Sequence, residues 1–355
     1  MTRARARTGI RARGQKFAFV ATVAYLVALC LIVLALYFVG ERWWVTSVGL
    51  YLPRLGFGLP LPFLVLAALA LKDKRMLALQ AAAFLVWLFP LMGLTYSFGS
   101  GPAEGKPSLR VMSYNVNSGL SSYEEVKKEI AARRPDVVLL QELFINPGDD
   151  YLKDTFPYVV LHTQFLLASR YPISTATLTE QPEFQKNLRS QPFVQRYVVD
   201  TPLGRIAFYN VHPVSPRHAF YSFRGAGIKK EVLTGNIFVG KGRTKMIAYG
   251  QTLFAQIDTV AELAGHESLP VVIAGDLNMP GLSPTWRRLS HAYQDGFSEA
   301  GSGFGYTFPN RDGWPSWLRL DRILSSAALR FTDFEIGCGK TSDHRCVVAE
   351  LTQRE

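Results

Sequence analysis

Val271-Val-Ile-Ala-Gly-Asp-Leu-Asn278 is the stretch on which the fold reading turns. Four consecutive apolar residues, three of them β-branched, suit a strand covered on both faces, as in the middle of a sheet. Gly275 breaks the run, and Asp276 and Asn278 follow two residues apart, on one side of an extended chain. A buried strand that ends on an acid is costly unless water, a cation or hydrogen bonds receive the charge.

The same pattern recurs along the chain. Met112-Ser-Tyr-Asn-Val-Asn117 puts Asn115 at a strand end, and Val138-Leu-Leu-Gln-Glu142 does so for Glu142. Arg319-Leu-Asp-Arg-Ile-Leu324 carries Asp321 inside a strand, and Thr341-Ser-Asp-His344 sets Asp343 beside His344 just before the last apolar run. Taken alone, a polar residue at such a strand end reads first as a turn residue or a solvated strand end.

Strands are expected at Leu109–Tyr114, Asp136–Leu140, Leu166–Ser169, Arg196–Asp200, Ile206–Val211, Pro270–Ala274, Arg319–Leu324 and Cys346–Leu351. Ser121 or Ser122 can cap a helix that stops before Pro135, and Thr244–Leu263 offers a longer helix. Strands and helices in this mixture predict an α/β fold: a two-sheet α/β sandwich with helices outside and polar loops gathered at one edge.

The first hundred residues read differently. Uncharged apolar runs at 17–39, 55–71 and 76–99 predict three transmembrane helices, forming an N-terminal membrane anchor over 1–99. Gly, Pro and Ser cluster at 100–108 as a linker, and 109–355 form the second domain. Of the net charge of +11, residues 1–105 hold +8 and the rest only +3, well short of the basic surface of a strong nucleic-acid binder. Arginines before the first run and the Lys72–Arg75 cluster predict a cytoplasmic N-terminus and an extracytoplasmic second domain. If the 55–71 run merely lay in the interface, that domain would return to the cytoplasm. Three cysteines exclude a disulfide scaffold, and Cys338 and Cys346 read as free buried thiols in preference to a bridge.

Tyr114-Asn115, Gln141-Glu142, Asn210-Val-His212, Gly275-Asp-Leu-Asn278, the Arg-Leu-Asp element ending at Asp321, and Ser342-Asp-His344 stand in the order of the endonuclease/exonuclease/phosphatase superfamily. The resemblance spans 109–351. That superfamily includes pancreatic-type deoxyribonucleases, abasic-site endonucleases, neutral sphingomyelinases and inositol-polyphosphate phosphatases. The resemblance implies a magnesium-dependent phosphoesterase, with manganese as a possible substitute for magnesium. It implies Glu142 as the leading metal ligand, with Asn115 beside it and Asp343 supporting a bound water or second metal. Asp276 then orients or deprotonates the attacking water, Asn278 hydrogen-bonds the phosphoryl group, His344 contacts the phosphate, Asp321 fixes the His344 tautomer, and His212 assists the leaving group or binds phosphate. Asn117 departs from the acid found there in abasic-site members, which weakens a second metal site resting on it. His162, His218, His266 and His291 have no motif context and read as surface or packing residues.

Aromatic and cationic residues interleave over Arg217–Arg224 and on through Lys229, Lys230, Ile237, Phe238, Lys241 and Arg243. Such a segment suits bases, a membrane surface or a polyphosphate head group, or is simply a solvated loop. The partners implied are the lipid bilayer and a phosphoester substrate: a lipid head group, a small phosphoester or nucleic acid. An extracytoplasmic nuclease and a catalytically silent binding module are the competing readings; a transporter would need more membrane helices with buried polar groups.

Overall fold

Why the chain builds two sheets follows from where its apolar strands sit. The computed structural model describes the chain apart from residues 1, 98–100, 102–104, 120–121, 146–149, 179–191, 222–232, 234–239 and 355. One sheet runs, in spatial order, β13 (Leu329–Gly337), β14 (Cys346–Gln353), β2 (Leu109–Asn115), β3 (Val137–Gln141), β5 (Phe165–Ser169) and β4 (Tyr158–His162). The other runs β10 (Gln294–Asp295), β12 (Asp321–Ser325), β9 (Val271–Asp276), β8 (Gly204–Val211), β7 (Val194–Thr201) and β6 (Ile173–Leu178). Each sheet has one parallel pair at its centre, β2 with β3 and β8 with β9; the other neighbours are antiparallel.

Alternate residues of the two sheets meet in a shared core that includes Val111, Leu139, Phe208, Val272, Ile323 and Val347. This is the α/β sandwich predicted from sequence. The helix α5 (Tyr123–Arg133) is capped by Ser122, whose hydroxyl accepts from Glu124 N–H, and buries Val126 and Ile130 on the outer face of the first sheet. Ser121 lies outside the described residues.

The N-terminal helices are α1 (Thr2–Phe38), α2 (Trp44–Tyr51), α3 (Pro60–Leu71) and α4 (Lys74–Val86). Three helical stretches are long and apolar enough to cross a membrane: Ala12–Phe38, Arg54–Leu71 and Lys74–Leu91. The third is shorter than the 76–99 run suggested, because Pro90 sits in a π-turn over Trp87–Leu91 and the chain then extends into β1 (Thr95–Tyr96). Gly99 and Ser100, and Pro102–Glu104 of the linker, lie outside the described residues. Asp73 caps α4 by accepting from the N–H groups of Arg75 and Met76, and the same side chain accepts from Gln15, so the start of α1 and the α3–α4 turn share one end of the bundle.

At the opposite end the bundle is fused to the sandwich. Leu29, Leu36, Leu50, Tyr51, Leu61 and Leu91 join one hydrophobic cluster with residues of β8, β9 and α7 (Lys241–Gly265). Gly40, at φ +45°, lies so close to Pro284 that a Cβ there would approach its Cδ to 2.1 Å. β1 pairs with β11 (Ser302–Gly303), and Tyr306 donates its hydroxyl to Met92 C=O.

The two C-terminal cysteines are bonded as Cys338–Cys346, correcting the expectation of free thiols. Antiparallel pairing of β13 with β14 sets Gly337 opposite Cys346, which brings the neighbouring Cys338 within reach.

Candidate active site

All the strand ends singled out in the sequence fall at one edge of the sandwich. β2, β3, β8 and β9 finish there, and β12 and β14, running the other way, begin there. Register fixes the neighbours: Asn115 faces Gln141, and Asp321 faces Asp276. Asp321 is therefore the first residue of its strand and not an interior one. Gly275 makes the close approach possible: it sits at φ +150°, and a Cβ there would lie 1.9 Å from Val211 C=O.

The buried Asp276 carboxylate is the centre. Its Oδ2 accepts from Asn115 Nδ2 at 3.1 Å, and the same Asn115 nitrogen donates to Glu142 Oε1 at 3.1 Å. The Nε2 atoms of His212 and His344 stand 3.7 and 3.6 Å from Asp276 Oδ2, and His212 Nε2 is 3.4 Å from Glu142 Oε1. Asp276 Oδ1 accepts from the N–H of Asn278, whose own amide donates to Pro213 C=O. Glu142 and Asn278 both hold left-handed backbone, at φ 53° and 51°. Asn tolerates that region and Glu does so at a cost, a strain of the kind that gathers at functional sites.

Each histidine is held from behind. His344 Nδ1 lies 2.9 Å from Asp321 Oδ2, and His212 Nδ1 lies 2.7 Å from Gln164 Oε1. These bonds fix the tautomers and leave both Nε2 atoms toward Asp276. His212 Nε2 is buried without a hydrogen bond, so it is ready to meet an incoming oxygen. Burial disfavours the His344 imidazolium, yet Asp321 and Asp276 outweigh it and push the ring up to about 10. Burial raises the Asp276 carboxyl, with His344 opposing and Asp321 reinforcing the rise.

Glu142 offers the hard oxygen that magnesium favours, and the ion takes one or two carboxylates plus water and substrate oxygens, so this donor set fits it. Asn115 presents its nitrogen to the carboxylates, while its oxygen accepts from Asn117 N–H. Turning the amide over would aim that oxygen at an ion held by Glu142. Asp276, Asp321 and His344 also offer ligand-type atoms within 4.8 Å of one another. The Asp321–His344 bond already engages two of these, and a hard cation gains more from Glu142. Asp343 stands to one side: Oδ1 accepts from Asn117 Nδ2 at 2.7 Å, and Oδ2 lies 3.2 Å from Arg311 and 3.6 Å from Arg217. Its contacts are thus to an amide and two guanidiniums, and Asn117 links it to Asn115.

Every site residue expected from sequence is at this edge, with Asp343 at its rim. Gln164, Arg311 and Tyr51, whose hydroxyl donates to Asn278 C=O at 2.7 Å, are additions, and Asn117, noted in the sequence only as a departure, bridges Asn115 and Asp343. Ser222, Phe223, Arg224, Lys229, Lys230, Ile237 and Phe238 of the interleaved segment lie outside the described residues; Arg217–Phe220 form a short helix, α6.

The profile of the Endonuclease/Exonuclease/phosphatase family matches residues 112–344. Curated proteins give no match. Among solved structures, an endonuclease/exonuclease/phosphatase from Beutenbergia cavernae DSM 12333 is 19% identical, with 69% of this chain and 72% of that one covered and a TM-score of 0.49. The mannosyl-6-phosphatase Bt3783 of Bacteroides thetaiotaomicron is 16% identical, covering 69% and 99%, with a TM-score of 0.46. The 3' phosphatase NExo from Neisseria, bound to a product DNA hairpin, is 18% identical, covering 68% and 98%, with a TM-score of 0.46.

Proposed function

The chain belongs to the Endonuclease/Exonuclease/phosphatase family and is a metal-dependent hydrolase of ester bonds; from that premise we propose that it is a membrane-anchored, magnesium-dependent phosphoesterase acting by in-line attack of water. One observation carries this reading: Asn115, His212 and His344 converge on Asp276, and Glu142, from a fourth element, joins them through Asn115 and His212.

Glu142 and Asn115 would hold a magnesium ion, which when bound would supply positive charge against the phosphoryl oxygens and ease attack on an anion. Asp276, raised by burial, orients the water and takes its proton. His344, kept as the imidazolium by Asp321, donates to a phosphoryl oxygen as charge develops, and Asn278 adds an amide N–H. His212, oriented by Gln164, delivers a proton to the departing oxygen. Water oxygen bonds to phosphorus, the P–O bond to the alcohol breaks, and the alcohol leaves protonated. Asp343, through Asn117, steadies Asn115.

Three features support an anchored, extracytoplasmic catalytic domain. Gln15, which follows the arginine-rich N-terminal sequence, bonds Asp73 of the Lys72–Arg75 turn, at the end of the bundle away from the sandwich. The sandwich touches both the segment after the first span, at Gly40 and Tyr51, and the segment after the third, at Met92. Those two segments share a membrane side when three spans cross. The Cys338–Cys346 bond suits an oxidising compartment.

Asp276→Asn and His344→Ala are each expected to lower hydrolysis of bis-p-nitrophenyl phosphate with magnesium by about a thousandfold, and a chelator should abolish it in the wild type. Rates within about threefold of wild type for both variants would end this assignment.

A further inference from the structure

We infer that the substrate is a phosphoester carried on a lipid of the membrane that holds the helices, taken from the leaflet on the catalytic side; this rests on the phosphoesterase reading above. The distance between bilayer and chemistry is the first reason. Tyr51 precedes Arg54, where the second candidate span begins, by only three positions. Its hydroxyl donates to Asn278 C=O, and the Asn278 N–H donates to Asp276 Oδ1. Two hydrogen bonds therefore join the start of a membrane span to the carboxylate at the centre of the site. The interfacial layer of one leaflet is roughly 5–7 Å thick, so the reaction centre is held next to the head groups.

The rim of the site supplies the second reason. Loop residues 310–317 connect the two ends of this contact: Arg311 pairs with Asp343 at 3.2 Å, and Trp317 donates its indole N–H to Tyr51 C=O at 3.1 Å. Between them Trp314 is 65% exposed, and Trp43, after the first span, is 50% exposed. Exposed tryptophans beside span ends are the usual furniture of a membrane interface. Arg311 and Arg217 both reach Asp343 Oδ2, and guanidiniums placed so can turn to a phosphate entering beside them. Residues 106–355 carry a net charge of only +3, which favours a small or lipid-borne phosphoester over long nucleic acid, whose binding draws on many cationic contacts.

A lipid diffusing in the leaflet reaches such a site without leaving the membrane. Sharing a bilayer also raises the effective concentration of substrate over a soluble ester of the same chemistry.

Full-length protein in vesicles, with magnesium, tests this. The probes are phosphatidylglycerol, phosphatidylethanolamine and phosphatidylcholine labelled in the head group and phosphatidic acid labelled in the phosphate, against their deacylated soluble counterparts, plasmid DNA and bis-p-nitrophenyl phosphate. At least one vesicle lipid should be cut about a hundredfold more efficiently than its soluble counterpart. Trp314→Ser, shown to be folded by an unchanged unfolding midpoint, should lose about tenfold of that lipid rate. Cleavage of the nitrophenyl ester with soluble esters or DNA cut as well as vesicle lipid would overturn the lipid inference and leave the phosphoesterase standing. No cleavage of any ester would sink both.

Discussion

His344 shows how much two neighbouring carboxylates can do to one side chain. Its ring is buried, which alone would strip its charge, yet Asp321 at 2.9 Å and Asp276 at 3.6 Å hold the proton on it up to about pH 10. Removing the Asp321 charge removes the larger attraction, so the ring must lose its proton at lower pH. In Asp321→Asn the alkaline limb of kcat/KM is therefore expected to fall by about one unit or more, and a limb that stays in place would take His344 out of the proton inventory. Asp276, His344 and Glu142 stood out in the sequence because polar residues beside apolar runs recur in the order of the superfamily's motifs; any one of them alone reads as an ordinary turn or strand-end residue. Gln164 did not. It sits in the turn between β4 and β5, where a glutamine is unremarkable, and only the stacking of one sheet on the other carries its amide to His212.

Among the elements, the loop between β13 and β14 bears the most on the chemistry. Asp343 and His344 lie inside the eight-residue separation closed by Cys338–Cys346. A loop of that length costs the unfolded chain about 2–3 kcal/mol when it is closed. Cys338→Ser with Cys346→Ser should lower the unfolding midpoint accordingly, and reductant should do the same to the wild type and nothing to the double variant. Buried strands such as β2, β3 and β9 were legible as apolar runs. The edge strand β6 was not, because Ser174, Thr175 and Thr177 break its apolar pattern, and β4 was passed over although 158–161 is an apolar run. The bond itself was misread because strand register, not spacing, decides which cysteines meet.

The short segment joining the first two spans carries another testable charge. Glu41 is buried, with Ser283 donating to Oε1 and no partner at Oε2, and burial raises its carboxyl above the ordinary 4.5. A raised carboxyl stabilises the fold most below its unfolded value, and the benefit is lost as pH rises through the folded value. Glu41→Gln should therefore match the wild type near pH 4 and unfold at a higher temperature at pH 8. A variant that is no more stable at pH 8 than at pH 4, relative to wild type, would refute this.

At the scale of the whole molecule, hydropathy alone separated an apolar N-terminal third from an α/β domain. It did not reveal that α2 exists or that the two parts share a core. Trp44–Tyr51 reads as a connection between spans, and only its packing against α7 and the Asn278 turn shows that it is a docking element. Pattern reports which residues avoid water; it is silent on whether lipid or protein replaces the water.

That shared core changes what the covalent tether at 100–108 means. With Gly40 seated on Pro284, Tyr51 bonded to Asn278 and β1 laced to β11, a proteolytic nick in the tether would not shed a soluble enzyme. The severed halves would stay clasped, apolar helices and catalytic domain together, for as long as the protein stayed folded.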